Sequence, residues 1–426
     1  MAQATASERR LALERTAAVA PALGAACMVL LGNRNRTWVR RRSETVSFEA
    51  SESMRIATTL DVVVPVDLQE RVTVGGDRMV LPLDVLNKGA LVNFDLTAQG
   101  KPASLLQSRE VAAVTAWMLA WLALDAGETE IGPAERELLA DVCDADVEAA
   151  DRAFGELEER LGTTHPRMVA EAKHYRDRYI LLVEMPVEPQ LIVKYARDER
   201  LRLRPRCDQQ SGLDATPLLV DLPSVAFGAS YHVEAVVPGE LRIVVARLTD
   251  QDGRDLCPPQ EMRDRVSMYA RGPVHGASAR LALFVRTQKD VFLLPAAVIA
   301  VLSAVALASV GVLELAGVVG SSVTGSAAGV AFLAPSLAGG LVLQRQPAPI
   351  VRVMLSMARL ALVVVIVTTV AAAAAMAFGL RDAELGWTWI GLAVVTMTVA
   401  GILCEAAGRA PGDVPRRRLP PRQASQ

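Results

Sequence analysis

Residues 291–313 (VFLLPAAVIAVLSAVALASVGVL), 321–343 (SSVTGSAAGVAFLAPSLAGGLVL), 360–380 (LALVVVIVTTVAAAAAMAFGL) and 387–404 (WTWIGLAVVTMTVAGILC) decide the fold class. Each is about 18 to 23 residues, the length an α-helix rising 1.5 Å per residue needs to cross a hydrocarbon core of roughly 30 Å. None carries an Asp, Glu, Lys, Arg or His, and nothing comparable precedes residue 291. The expected architecture is a multi-pass membrane protein: a β-rich (α+β) region with a helical insert, followed by a four-helix transmembrane bundle.

The flanks of these stretches orient them. Arg280, Arg286 and Lys289 precede the first; Arg345, Arg352 and Arg359 lie between the second and third; Arg409, Arg416, Arg417, Arg418 and Arg422 follow the fourth. The opposite loops hold only Arg381. Cytoplasmic loops collect Arg and Lys, so both termini and residues 1–290 are expected in the cytoplasm, with the spans in a bacterial plasma (inner) membrane. Glu314, Arg359 and Glu405 all sit at span ends, where they reach the interface, which argues against ion coupling through the bundle. Residues 325–329 (GSAAG), Gly339-Gly340 and 371–375 (AAAAA) offer small faces for close helix packing, and Trp387 and Trp389 read as interfacial anchors.

Residues 17–31 (AAVAPALGAACMVLL) follow Arg9, Arg10 and Arg15 and have the look of a signal-peptide core or short anchor. The run after them, 33–42 (NRNRTWVRRR), resists translocation, so an Ala-rich helix resting on the protein or on lipid is the expectation. Arg34, Arg36, Trp38, Arg40, Arg41 and Arg42 form the sharpest surface feature of the sequence. Anionic lipid is the expected contact if this run binds anything, at up to about 1 kcal/mol per basic residue; a solvated linker is the plainer alternative, and no nucleic acid is expected.

Between these ends the pattern divides the chain into 1–43 (Ala-rich helix and basic linker), 44–105 (first β unit), 106–176 (helical insert), 177–288 (second β unit, antiparallel and sandwich-like), 289–408 (membrane helices) and 409–426 (disordered basic, Pro-rich tail). Strands are expected at 45–49, 55–66, 78–85 and 90–96, and again at 179–184, 190–195, 218–226, 230–237, 241–248, 266–270 and 279–286. Pro238-Gly239 predicts a hairpin that puts Tyr231, Val233, Ala235 and Val237 on one face. Ser108 reads as the N-cap of a helix to about Leu124, with Trp117 and Trp121 as core packing. A second helical stretch spans 133–161. It is strongly acidic, with 13 Asp and Glu between 125 and 159 against Arg136, Arg152 and Arg160, and its acidic face reads as solvated.

Residues 80–96 (VLPLDVLNKGALVNFDL) and 229–241 (ASYHVEAVVPGEL), followed by the C-terminal spans, resemble a group of uncharacterised actinobacterial multi-pass membrane proteins. The likeness runs from about residue 40 to the end. It implies the order of a cytoplasmic β-rich region before membrane helices, and no activity.

Motifs for chemistry are sparse. The five cysteines, Cys27, Cys143, Cys207, Cys257 and Cys404, are scattered and read as small buried hydrophobes. His232 and Glu234 share one strand face, a general base and orienter in principle, but without a nucleophile elbow they read as a polar stripe. His165, His174 and His275 are isolated, and Asp144-Ala-Asp146 reads as a helix break rather than a chelator. No catalytic, cofactor-binding or metal residues are assigned, and no cofactor is expected. The leading expectation is a membrane-anchored cytoplasmic module for binding, sensing or scaffolding, with the bilayer and a second copy or another membrane or cytoplasmic protein as partners. An oligomeric pore or exporter subunit stands second, and a membrane enzyme third.

Overall fold

The computed structural model describes residues 6–408 except 33–37, 49, 51, 75, 89–91, 145–146, 202, 204, 206, 224–227, 251, 259, 272–277, 318–321 and 378–382. Helix α1 (Ala6–Gly32) precedes the antiparallel pair β1 (Val39–Ser47) and β2 (Ser53–Val62). A short α2 (Val66–Val72) then leads to β3 (Thr73–Val74), β4 (Arg78–Asn87), β5 (Val92–Ala98), β6 (Lys101–Pro102) and β7 (Ser104–Leu105). The insert is four helices, α3 (Ser108–Asp125), α4 (Pro133–Cys143), α5 (Val147–Leu161) and α6 (Pro166–Arg176). Strands resume with β8 (Arg178–Pro186) and β9 (Leu191–Arg200), one turn of helix α7 (Cys207–Gln210), then β10 (Thr216–Leu222), β11 (Ser230–Val236), β12 (Leu241–Thr249), β13 (Gln260–Arg263), β14 (Arg265–Arg271) and β15 (Ala279–Thr287). The chain closes with α8 (Leu293–Leu315), α9 (Ser322–Gln344), α10 (Pro349–Met354), α11 (Ser356–Ala377) and α12 (Ala383–Gly408).

The β-rich stretches before and after the insert are continuous in space. One seven-stranded sheet runs β14-β11-β1-β2-β9-β5-β6, so strands from residues 39–102 are interleaved with strands from 191–271. Its β1–β11 pair is parallel, which departs from the purely antiparallel pattern expected, because the two strands are joined by a long crossover rather than a hairpin. Two four-stranded sheets, β3-β4-β8-β7 and β10-β15-β12-β13, lie on its inner face. Strand β4 is buried from Met79 to Leu86, since the seven-stranded sheet and helices α1 and α2 cover it, with α3 on the neighbouring β8. A strand buried on both faces reads as an apolar run rather than an alternation, which is why VLPLDVL carries one charge only.

Pro238-Gly239 does not make the expected hairpin. Strand β11 stays in the seven-stranded sheet and β12 belongs to the four-stranded one, so the turn closed by Leu241 N–H on Pro238 O (2.8 Å) carries the chain between two packed sheets. Both strands still bury alternate residues in one core: Tyr231, Val233, Ala235 and Val237 from one side, Leu241, Ile243 and Leu248 from the other. Alternation specifies which face is buried and is silent on the partner strand.

Helix α1 is a structural part of the β-rich region. Its apolar portion, Ala18–Gly32, buries Ala20, Leu23, Ala26, Cys27 and Leu30 against α3. The helices cross closely at Gly24, where a Cβ would stand 2.6 Å from that of Trp117. Trp121 Nε1 donates to Pro21 O (3.0 Å), and Trp38 Nε1 to Leu30 O (3.0 Å) at the end of α1. The start of α3 corrects the expected cap. Ser108 is the first helical residue, and Glu110 Oε2 accepts from the backbone N–H of Gln107 (2.7 Å). The stretch 133–161 breaks at Asp144, as a DxD in a helix break should; Asp146 lies outside the described residues.

Among the described residues three helical segments are long and apolar enough to cross a membrane: Leu293–Leu315, Ser356–Met376 and Gly386–Gly408. Helix α9 extends over 23 residues, and its described apolar portion is the shorter Phe332–Gln344. Close contacts knit these helices. A Cβ on Gly311 would lie 2.9 Å from Ile390 and 3.1 Å from Gly386 O, and one on Gly339 would lie 2.8 Å from Ile366. Leu307, Phe332, Ala372, Met376 and Trp389 fill the space between them. Trp389 therefore packs inside, and only Trp387 is exposed as an anchor would be. A single apolar core continues from the sandwich into the helix ends, linking Leu281 and Val285 with Phe292, Ala296, Ile350, Leu362 and Leu403.

Candidate functional site

The seven-stranded sheet has two unlike faces because its strands alternate. On the inner face of β1, Arg42 and Glu44 are buried; on the outer face of the same strand, Arg41, Ser43 and Thr45 reach the surface. The inner residues sit where the two four-stranded sheets meet, with Leu60 and Val193 in the core on one side and Val46 and Ile56 in the core on the other. Arg42 Nε donates to Glu44 Oε1 (2.9 Å), and Arg42 Nη2 donates to Asp84 Oδ2 (2.8 Å) and Tyr195 OH (3.3 Å). Tyr195 OH donates to Asp84, and Tyr231 OH to Glu44 Oε2 (2.5 Å). Asp84 also accepts from Val85 N–H (2.8 Å). Burial alone would lower the pKa of Arg42, but Asp84 and Glu44 more than reverse that and it rises. Burial first, and Glu44 second, push the Tyr231 phenol up. The cluster is thus a charged arginine held by two acids and two neutral phenols.

A bulge explains how Asp84 enters it. The β4–β8 register shifts between Pro82 and Asp84, at the point where Pro82 has no N–H to give the ladder. Such a bulge re-aims a side chain, here toward the seam between sheets.

On the outer face, strand register lines up Tyr269, His232, Ser43, Thr59, Lys194 and Thr97 as one row across six strands. The neighbouring row holds Thr45, Ala57 and Ala196. A shallow trough over β1, β2 and β9 lies between the Ser43–Thr59–Lys194 row and the Arg41–Asp61–Ile192 row on its other side, lined by those six residues. Asp61 accepts from Gln190 Nε2 (2.9 Å), whereas Arg41 and Lys194 are exposed and make no ion pair with any described residue. Charges further along the sheet are matched: Arg55 pairs with Asp95 and Asp198, and Glu234 with Arg265 (3.0 Å). The trough holds two cations, two hydroxyls and the Asp61 carboxylate.

His232 lies in this row between Tyr269 and Ser43. Its Nδ1 is 3.1 Å from Ser43 Oγ and its Nε2 2.6 Å from Ser267 Oγ. Glu234, the carboxylate expected beside it, faces Arg265 one row away. Strand β11 is paired on both sides, with β1 and β14, so the backbone N–H groups of His232 and Glu234 serve the sheet ladders rather than an oxyanion. Sequence reading found His232 but not its serine partners, which come from strands 189 residues before and 35 residues after it in the chain.

The basic run divides. Arg40 and Arg41 are exposed, Trp38 and Arg42 are buried, and Arg34 and Arg36 lie outside the described residues. Trp38 belongs to the core that no C-terminal helix joins. Of the described residues of this run, Trp38 and Arg42 are thus inside the fold, since β-alternation turns Arg42 inward and Trp38 packs under α1, while Arg40 and Arg41 keep the surface. His165 is buried and held by Thr164 Oγ1 (2.8 Å) and Thr129 O (3.1 Å), and His174 accepts from Arg178 Nη1 (2.9 Å). His275 lies outside the described residues. Among the described residues no three His, Cys, Asp or Glu side chains gather as a metal would require.

No family model matches the chain, and no curated protein matches it significantly.

Proposed function

We propose that this chain is a membrane-anchored binding module, with its ligand surface on the open outer face of the seven-stranded sheet. The observation that carries this reading is the trough over β1, β2 and β9, where Arg41 and Lys194, in no ion pair with a described residue, stand beside Ser43 and Thr59 while Asp61 is held by Gln190. That donor set suits an anionic, hydrogen-bonding ligand such as an acidic protein segment. On the reverse of β1, the buried Arg42 and Glu44 tie this sheet to Asp84 of β4 in the sheet beneath it. The C-terminal helices, α9 included, serve as a four-helix anchor. Their interior is filled by Leu307, Phe332, Met376 and Trp389, which supports an anchor over a pore within one copy. Arginine placement supports a reading in which the sheets and both termini face the cytoplasmic side of a bacterial inner membrane.

The test is site-specific photocrosslinking of the full chain in its native membrane. A benzophenone residue at Thr59 should give a discrete adduct that Arg41→Glu with Lys194→Glu abolishes, while one at exposed Glu70 should give none. Equal adducts at both positions, or an adduct indifferent to the charge reversal, would overturn the proposal.

A further inference from the structure

The level at which the helices leave the β-sandwich carries a second binding surface. Three rows of exposed apolar side chains end there on basic residues. Leu294 is 46% exposed five residues after Lys289, Leu341 is 66% exposed four before Arg345, and Leu360 is 55% exposed next to Arg359. Lys289, Arg345 and Arg352 are themselves exposed. Two of the guanidiniums are pinned to helix ends: Arg345 Nη1 donates to Val291 O (3.4 Å), and Arg359 Nη2 to Leu343 O (2.7 Å). Arg359 also lies 5.9 Å from the Phe292 ring centre and keeps its Nη1 without a protein partner. Of the nearby acids, Glu240 faces the backbone N–H of Ala348 (3.4 Å), and Asp290 and Glu405 are exposed. Arg242 and Arg286, opposite each other in the β12–β15 ladder, add two more cations at this end.

We infer that Lys289, Arg345 and Arg352, with Arg359 behind them, bind the headgroup phosphate of an anionic phospholipid. The exposed apolar rows set the depth of the acyl chains, and the cations stand where the phosphates of that leaflet lie. A row of cations directly beyond a lipid-facing surface attracts anionic headgroups as polybasic juxtamembrane segments do. The proposed lipid site is at the junction of sheets and helices, on residues 289–359. This inference rests on the membrane reading and is independent of the outer trough.

The experiment is native mass spectrometry of the full chain released from mild detergent after incubation with equal amounts of phosphatidylglycerol and phosphatidylcholine. Phosphatidylglycerol should be retained in preference, and each of Lys289→Gln, Arg345→Gln and Arg352→Gln should lower that preference about fivefold. Arg40→Gln with Arg41→Gln should leave it unchanged, and excess inorganic phosphate should not displace the lipid. Equal retention of both lipids, loss of preference on the Arg40 and Arg41 changes, or displacement by phosphate alone would overturn the inference. Circular dichroism of each variant separates a lost site from a lost fold. Failure of the chain to partition into membranes at all would instead overturn the membrane reading.

Discussion

Arg42 Nη2 and Asp84 Oδ2 meet at 2.8 Å with both side chains fully buried, and they join the seven-stranded sheet to the four-stranded sheet beneath it. A buried ion pair of this kind contributes little net stability over an apolar substitute, but losing one partner strands the others without compensation. Arg42→Met should therefore destabilise the β-rich region by about 3–5 kcal/mol. Tyr231→Phe, which removes one hydrogen bond to a charged acceptor, should cost about 1.5–3 kcal/mol. Urea unfolding followed by circular dichroism orders the two; a larger loss for Tyr231→Phe would show that Arg42 is not the centre of the cluster.

The thiols of Cys27 and Cys143 are both buried, and burial pushes each up to about 12. Cys207 is exposed. Maleimide at pH 8 should modify Cys207 in the native protein and reach Cys27 and Cys143 only after denaturation, read by mass shift. The same pair makes stability fall with alkalinity. Unfolded thiols ionise near 9 while the folded ones stay neutral to about 12, so the stabilisation is complete below 9 and is lost across that window. Cys143→Val should flatten the decline, and an unchanged slope would count against it.

Helix α8 meets α12 through Gly311, where an added Cβ would stand 2.9 Å from Ile390 and 3.2 Å from the Cβ of Trp389. Gly311→Leu should separate the pair and lower stability in detergent by about 1–3 kcal/mol or more. Gly391, which has nothing within 4 Å of its Cβ position, is the control. Thermal melts of Gly311→Leu and Gly391→Leu should differ in that direction, and coincident melts would contradict the close crossing.

Topology has a direct readout. Reporter fusions after Gln426 and at Ser322 should report the cytoplasmic and external sides respectively. The reverse pattern would place the sheets and the trough outside the cell and remove the cytoplasmic reading.

Much of the local structure was legible in the residues themselves. The apolar helices follow from length and the absence of charge, and most strands after residue 177 lie within a few residues of where alternation put them. The inward face of β11, Tyr231 to Val237, was also readable, because a period of two states which side is buried. The short α2 was not, since its residues Val66–Val72 continue a β-rich run and carry no cap signal in the side chains.

What the sequence by itself determined is the order of a β-rich region before apolar helices, since periodicity and hydrophobic length are local properties of the chain. Only the tertiary structure decided that β1 lies between β2 and β11, that Pro238-Gly239 joins two sheets, and that Ser43 and Ser267 flank His232. It also turned Arg42 inward to Asp84 while leaving Arg41 on the trough, and so broke up a basic run that looks continuous in the sequence. The physical reason is that strand partners are chosen by burial of whole faces and by crossover connections of many residues. A neighbouring residue in the chain carries no record of that choice.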